Sequence, residues 1–219
     1  MSGIAAALRF DGGPALSGLV ETMTAAMDFR GPDGIHHWTD GAAAIGQCLL
    51  CTTAESLAET LPLVGEDSRL ALVMDGRLDN WEELRGELLA KGVRLRGRTD
   101  SELVLRAYET WGADCAARLD GDFVFVIWDQ QRREAFCVRD QTGAKPLHYH
   151  WNGQRLLIAS DLHAIYAAAP EARAPNEGML AEILAGEWYA RDETLWRGIM
   201  KLTPAHQMRG ATQNRCLCV

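Results

Sequence analysis

The first two residues of the chain carry its clearest sign of chemistry. A hydroxyl residue, Ser2, stands directly behind Met1, at the head of the apolar run IAAAL. If Met1 is removed, Ser2 has a free α-amine beside its hydroxyl, and that amine can act as general base for its own side chain. Ser2 is therefore a candidate N-terminal nucleophile for attack on an amide. The alternative is a chain that merely begins Met-Ser.

No metal-binding or disulfide pattern accompanies this serine in the sequence. Of the six cysteines, Cys48 and Cys51 form a CxxC pair, but no second pair follows at zinc-binding spacing. The segment LDGDF lacks the further oxygen ligands that a calcium loop needs. The histidines are spread over separate elements, which favours surface or sheet positions over a catalytic or ligating role. We expect free thiols, no metal and no cofactor in this chain.

Composition and charge exclude several classes of protein. The chain has 219 residues, of which 47% are hydrophobic and 24% charged, with a formal net charge of -8. These values are typical of a globular protein and offer no basic surface for nucleic acid. The longest apolar runs fall far short of the ~20 residues that span a bilayer, and the first lacks the flanks of a signal peptide. We therefore expect a cytoplasmic protein without nucleic-acid or membrane partners.

Short apolar runs and helical periodicities alternate along the chain and predict the elements that position Ser2. The predicted strands are GIAAALRF, IHHWT, AAIGQCLL, RLALVMDG, DFVFVIWD, EAFCVRD, LHYHW and RLLIAS. The predicted helices are PALSGLVETMTAAMDF, NWEELRGELLAKG, DSELVLRAYETWG, DLHAIYAA and NEGMLAEILAGE, with Asn80 and Thr99 or Asp100 as N-caps. Short turns between the strands indicate hairpins, so the sequence predicts an α+β domain with mostly antiparallel sheets.

Five motifs in a fixed order give the chain a family resemblance. They are RGPDG, DGRLDNWEELRGELLAKG, TDSELVLRAYETWGADCAARLDGDFVFVIWD, RDQTGAKPLHY and IASDLHAI. Together they resemble the N-terminal glutaminase-type domain of the asparagine synthetase family, from Met1 to about Met208. Within that family, the second and third motifs are most similar to the bacterial homologues that close the isopeptide ring of lasso peptides.

The resemblance implies a class II glutamine amidotransferase domain with the N-terminal nucleophile (Ntn) hydrolase fold. That fold is a four-layer αββα sandwich of two antiparallel sheets. We expect the domain to span 1–208, followed by an irregular tail over 209–219. In the family a C-terminal domain adenylates a carboxylate with ATP and Mg, through an SGGxDS loop that this sequence lacks. The implied partner is such a ligase domain, in the same or a partner chain, acting on a peptide or an amino acid.

The resemblance also places two changed residues in the glutamine pocket. Active members have a Cys immediately after Met, and Ser2 occupies that position with a less nucleophilic hydroxyl. The family's GHxRL strand supplies an Arg that binds the glutamine α-carboxylate, and the matching GQCLL places Leu49 there. A carboxylate buried without its cation costs several kcal/mol, so we expect glutamine binding to be badly weakened.

The family's NGE segment is changed as well. Its Asn and the next backbone N–H form the oxyanion hole, and its Glu meets the substrate ammonium. This chain has Asp75, Gly76 and Arg77, which keeps the Gly76 amide but replaces the Asn by a carboxylate and reverses the third charge. Asp100 retains the family's residue for the substrate amine. One lost oxyanion donor costs ~2.7–4 kcal/mol in the barrier.

The resemblance and the changed residues together lead to one functional prediction and two alternatives. The prediction is a domain degenerate in glutamine hydrolysis that serves as a scaffold for an amide- or isopeptide-forming ligase. The first alternative is an active serine N-terminal-nucleophile amidohydrolase acting on another amide. The second is a fragment of a working glutamine-hydrolysing asparagine synthetase. We also expect Arg139, Asp140, Lys145 and Pro146 to hold a turn through a buried ion pair, and the resemblance implies a structural role for them near the interdomain face.

Overall fold

The computed structural model describes residues 1–211, 217 and 218. In this part of the chain the strands are β1 (Gly3–Arg9), β2 (Gly34–Asp40), β3 (Ala43–Leu49), β4 (Leu63–Val64), β5 (Leu70–Leu78), β6 (Gly121–Asp129), β7 (Glu134–Arg139), β8 (His148–Trp151), β9 (Arg155–Ala159), β10 (Ile199–Lys201), β11 (Gln207–Ala211) and β12 (Leu217–Cys218). The α-helices described there are α1 (Ser17–Ala25), α2 (Trp81–Ala90), α3 (Asp100–Trp111), α4 (Leu162–Ala168) and α5 (Glu177–Ala185). The eight predicted strands and five predicted helices are confirmed, although α1 is shorter than its apolar pattern.

The strands form two six-stranded sheets in which every neighbouring pair is antiparallel. Their orders are β10-β8-β9-β1-β3-β2 in the first sheet and β12-β11-β7-β6-β5-β4 in the second. In the first sheet Gly3 pairs with Cys48, so the start of β1 lies beside the end of β3. This pairing places Ser2 next to the residues that follow β3.

Strand β1 shows why the molecule has four layers. Ile4 and Leu8 pack between the two sheets, whereas the alternating Ala5 and Ala7 pack against the layer that contains α1 and α4. Successive side chains of a strand point to opposite faces, so a strand buried on both faces needs a layer on each side. Helices α2 and α3 cover the outer face of the second sheet in the same way. The predicted αββα sandwich of two antiparallel sheets is confirmed.

The starts of α2 and α3 differ in their capping. The Thr99 hydroxyl accepts a hydrogen bond from the Glu102 N–H, which is the expected N-cap of α3. Asn80 precedes α2, but its side chain makes no cap hydrogen bond. Its amide instead donates to the Arg118 carbonyl and accepts from the Asp120 N–H, and so fastens α2 to the loop before β6.

The C-terminal segment corrects the predicted domain boundary. We expected an irregular tail over 209–219, but β11 continues to Ala211 and pairs with β7, while β12 pairs with β11. An open sheet edge accepts a strand through backbone hydrogen bonds, which require no apolar alternation in the added segment. The prediction is wrong for 209–211, 217 and 218, and residues 212–216 and 219 lie outside the described part of the chain.

None of the helices in the described part of the chain combines the length and the apolar composition of a membrane span.

Candidate functional site

A cleft of about 490 Å³ opens beside the start of β1. Ser2 precedes β1, Leu50 follows β3, and Asp75 and Gly76 lie in β5. The loop between β7 and β8 brings Lys145 to the same place. Residues lining the cleft are Met1, Ser2, Leu50, Thr52, Thr53, Glu55, Ser56, Glu59, Leu61, Met74, Asp75, Gly76, Arg77, Trp81, Arg98, Thr99, Asp100 and Lys145. The two sheets and the N-terminus of α3 thus contribute to one site.

Both the hydroxyl and the backbone N–H of Ser2 are hydrogen-bonded. Its hydroxyl accepts a hydrogen bond from the Leu50 N–H at 3.1 Å and lies 3.4 Å from the Leu50 carbonyl oxygen, to which it donates. Its backbone N–H donates to Asp75 Oδ1 at 3.1 Å. With only 8% of its surface exposed, Ser2 is fixed against the end of β3. The hydroxyl proton that a nucleophile must release is already engaged by a backbone oxygen.

Asp75 is a buried carboxylate with uneven hydrogen bonding. It is 4% exposed, and its Oδ1 accepts from Ser2 and lies 3.5 Å from Lys145 Nζ. Its Oδ2 is buried without a hydrogen-bond partner among the described residues. Burial raises the pKa of the Asp75 carboxyl above its ordinary value, and the positive charge of Lys145 opposes that shift only in part.

Gly76 follows Asp75 at a position that only glycine can occupy without strain. Its φ is +154°, and an added Cβ would lie 2.3 Å from the Asp122 carbonyl oxygen and 2.4 Å from the Phe123 Cα. Strand β6 therefore approaches the backbone of β5 closely at this residue. The predicted oxyanion-hole residue Gly76 does line the cleft.

Asp100 and Arg77 lie towards the N-terminus of α3. Asp100 Oδ2 accepts a hydrogen bond from the Leu78 N–H at 3.1 Å, which ties α3 to the end of β5. Burial raises the pKa of Asp100, and this hydrogen bond opposes the rise. Arg77 is exposed and its positive charge acts on Asp100. Both predicted residues line the cleft, together with Ser2, Asp75 and Gly76.

Leu49 is the one predicted pocket residue that the structure does not bring into the lining. Its side chain is buried in the apolar core between the second sheet and its helices, and the next residue, Leu50, lines the cleft instead. Two residues earlier, the buried Gln47 side chain donates to the Met74 carbonyl at 3.0 Å and accepts from the Met74 N–H at 3.2 Å. This paired contact joins β3 of one sheet to β5 of the other directly beside Asp75.

The cleft also contains charged residues that the sequence analysis did not assign to it. Arg98 and Glu59 line it, and burial raises the pKa of Glu59. Arg98 stands two residues before Asp100, so its place near the start of α3 could have been anticipated from that of Asp100. Glu59 lies in an irregular segment, where neither period nor motif predicts the direction of a side chain.

The loop between β7 and β8 is held differently from the ion pair that we expected. Arg139 donates to the carbonyl oxygens of Lys145, Leu202 and Gly143 at 2.6–2.7 Å, and no Arg139–Asp140 salt bridge forms. A guanidinium has five N–H donors and can therefore satisfy several backbone carbonyl oxygens at once. The Lys145 side chain points away from the turn, and its ammonium group pairs with Asp75 in the cleft.

No metal-ligating cluster is present in the described part of the chain, where no group of three or more His, Cys, Asp and Glu side chains is arranged to hold an ion. Cys48 and Cys51, the CxxC pair, are free thiols. Burial raises the pKa of Cys48 to about 11, so this thiol is a buried apolar residue and a poor metal ligand.

Comparison with known proteins places these features in a family. The family model of the glutamine amidotransferase domain matches residues 1–217. "Asparagine synthetase [glutamine-hydrolyzing] 3" of Bacillus subtilis is 29% identical over 191 residues, which are 86% of this chain and 31% of that protein. A "Putative asparagine synthetase [glutamine-hydrolyzing]" of Mycobacterium bovis is 31% identical over 189 residues, 80% of this chain and 29% of that protein. The chain thus spans about a third of the length of these relatives.

Solved structures agree with the fold. The glutamine phosphoribosylpyrophosphate amidotransferase of B. subtilis, solved with ADP and GMP, has a TM-score of 0.67 at 16% identity, covering 98% of this chain and 50% of that one. This likeness confirms the N-terminal nucleophile fold. The family match over almost the whole chain agrees with the resemblance carried by the five motifs, and the chain belongs to the family of glutamine amidotransferase domains, with asparagine synthetases among its relatives.

Proposed function

We propose that this domain has lost glutamine hydrolysis and serves as a scaffold for an ATP-dependent ligase domain that forms an amide or isopeptide bond. The observation that carries the proposal is the Asp75 carboxylate. Asp75 contacts the Ser2 nitrogen, and the resemblance assigns it to the position at which the family's Asn stabilises negative charge. A pocket that hydrolyses an amide must stabilise the oxyanion beside the nucleophile, and a carboxylate there opposes it.

The contacts of Ser2 support the same proposal. Nucleophilic attack requires that a base remove the hydroxyl proton, yet the Ser2 hydroxyl exchanges hydrogen bonds with the backbone of Leu50. A serine hydroxyl is also harder to ionise than the family's thiol. Ser2 therefore fastens the start of β1 to the end of β3, which is a structural role.

Recognition of glutamine must be considered apart from hydrolysis. Leu49 lies in the core and supplies no cation, but Arg77 and Arg98 bring positive charge to the cleft. Binding and turnover therefore need separate measurements. The proposal predicts first that glutamine is not turned over. It also predicts weak glutamine binding, because Leu49 supplies no cation for the α-carboxylate.

The length of the relatives and an exposed patch support the scaffold role. The chain spans about a third of its asparagine synthetase relatives, which leaves room in them for a second domain. At the end of α5, Leu184, Trp188 and Tyr189 are 87%, 68% and 74% exposed. The Glu182 carboxylate accepts from the Tyr189 and Ala190 N–H groups and so ties the backbone of this segment to α5. Exposed aromatic residues of this kind are typical of protein interfaces, and we expect the ligase domain to contact this patch.

The test of lost hydrolysis is a glutaminase assay combined with calorimetry. We expect no ammonia release above the uncatalysed rate at millimolar glutamine, and no binding heat in the micromolar to low millimolar range. Ammonia release that disappears in Ser2→Ala would overturn the proposal, because it would show a working nucleophile.

The scaffold role is tested on a complex with the ligase domain encoded in the same or a neighbouring reading frame. Trp188→Ala with Tyr189→Ala is expected to weaken association at least tenfold. Leu89→Ala is the matched control, since Leu89 is 51% exposed on α2, outside the patch. Equal affinities for the two variants would exclude this surface.

A further inference from the structure

The unpartnered oxygen of Asp75 points to a change at the N-terminus. Buried carboxylate oxygens are normally hydrogen-bonded, yet Asp75 Oδ2 has no partner among the described residues. The other oxygen, Oδ1, accepts from the Ser2 nitrogen at 3.1 Å. With Met1 attached, that nitrogen is an amide with a single hydrogen, so it can satisfy only one oxygen.

Removal of Met1 would change the donor without moving it. The Ser2 nitrogen would become an ammonium group with three N–H donors and a positive charge. Its position would be kept by the Ser2 hydroxyl on the Leu50 backbone and by the pairing of Gly3 with Cys48. The added donors would therefore arise directly beside the carboxylate that lacks one.

We propose that, in the chain that begins at Ser2, Asp75 binds the α-ammonium group of Ser2 as a buried ion pair. The N-terminus is then a fixed cation and cannot act as a general base, because an ammonium nitrogen has no lone pair to accept a proton. This proposal rests on the proposed function and extends it, because it names Asp75 as the group that keeps the N-terminal amine protonated. Asp75 is a positioning residue in this arrangement.

The charges around Asp75 are compatible with the ion pair. Lys145 Nζ lies 3.5 Å from Oδ1 and competes for the carboxylate, while the positive charges of the Met1 ammonium group, in the chain that keeps Met1, and of Arg30 also reach it. Arg30 is itself paired with Asp161 at 3.3 Å. Oδ2, which faces neither Lys145 nor another donor at hydrogen-bond distance, remains for the ammonium group.

The test measures how readily the Ser2 amine is acetylated as a function of pH. A fusion protein cleaved directly before Ser2 supplies the chain without Met1, and the N-terminal peptide is quantified by mass spectrometry after treatment with an acetyl ester. Only the neutral amine reacts, so the pH of half-maximal rate reports its pKa. We expect this midpoint to lie at least one pH unit higher in the wild type than in Asp75→Asn, with limiting rates at high pH used for normalisation.

Control variants separate the ion pair from a merely structural role. Asp75→Glu keeps the carboxylate and is expected to retain a raised midpoint, and Asp122→Asn removes an exposed carboxylate on the neighbouring strand and should leave it unchanged. If Asp75→Asn does not fold, Lys145→Met replaces it. Loss of the competing cation should then raise the midpoint further.

Two results would overturn the ion pair. One is equal midpoints in the wild type and Asp75→Asn, and the other is an unchanged midpoint in Lys145→Met. Either result with no ammonia released from glutamine would leave the proposed function standing. A high wild-type midpoint together with ammonia release would instead contradict the proposed function alone.

Discussion

Asp140 and Asp75 are both almost fully buried, at 1% and 4% exposure, yet their surroundings differ. The Asp140 carboxylate accepts from Thr142 N, Thr142 Oγ1, Ala144 N and Lys145 N at 2.7–3.3 Å. Burial alone would raise its pKa, but these hydrogen bonds outweigh burial and lower it. Burial prevails at Asp75, whose pKa is raised. Hydrogen bonding, more than depth, thus distinguishes the two acids.

Lys145 connects the two aspartates. Its backbone N–H donates to Asp140 Oδ2, and its ammonium group pairs with Asp75 Oδ1. The satisfied aspartate shapes the loop, and the loop delivers the cation to the cleft. Asp140, whose hydrogen bonds are complete, therefore stabilises the loop. Asp75, which has an unused oxygen beside Ser2, can bind a ligand or the α-ammonium group of Ser2.

The largest expected effect is that of Asp140→Asn. One acceptor oxygen becomes an NH2 group that faces the loop's own N–H donors, so we expect the free energy of unfolding to fall by about 2–4 kcal/mol. Urea denaturation at pH 7 measures this change. A loss below about 1 kcal/mol would show that the loop does not depend on the carboxylate, and the contrast with Asp75 would disappear.

A smaller effect is expected for Lys145→Met. Asp75 would lose its cation but remain buried at the wall of the cleft, and we expect a loss of about 1–2 kcal/mol at pH 7. Without Lys145 the pKa of Asp75 rises further, so the loss should disappear at a pH low enough to protonate it. In a cycle with Asp75→Asn the two changes should not add, since they remove the same pair. If the effects of the two changes simply add, Lys145 stabilises the fold through a contact other than Asp75.

The layers of the fold could be predicted because their pattern is local. Period-two runs such as β1 and the helical spacing of α3 require a buried face on each element, and the order of the motifs supplied the topology. Strands β10 and β11 gave no such signal. Both are short strands at or next to a sheet edge. Such strands pair through their backbone, so their side chains need not show the apolar alternation that predicts a strand.

The site could be predicted only where a family motif assigns a residue to it. Ser2, Asp75, Gly76 and Asp100 follow from the order of motifs, and all of them line the cleft. The family comparison carries residue identity but not side-chain direction, and for that reason Leu49 was expected in a pocket that it does not reach. Likewise, no periodicity in the sequence predicts that the Lys145 side chain reaches Asp75 in the cleft.

The smallest expected effect is that of Asp75→Asn, the less fully hydrogen-bonded of the two aspartates. Asp75 is an acid whose pKa in the folded chain lies above its value in the unfolded chain, so its ionisation reduces stability at pH 7. With Met1 attached, Asp75→Asn should therefore raise the free energy of unfolding by up to about 1 kcal/mol, since it removes a partly bonded buried charge. The gain should vanish as the pH falls through the folded pKa, where the wild-type carboxyl is already neutral.

The same substitution should have the opposite sign in the chain that begins at Ser2. There the carboxylate has an ammonium partner, so Asp75→Asn leaves a buried cation uncompensated and should lower the free energy of unfolding by about 1 kcal/mol or more. Urea denaturation of both forms, with and without Met1, compares the two signs directly. A gain of equal size in both forms would mean that the terminal amine does not engage Asp75, and that its second oxygen is satisfied by water alone.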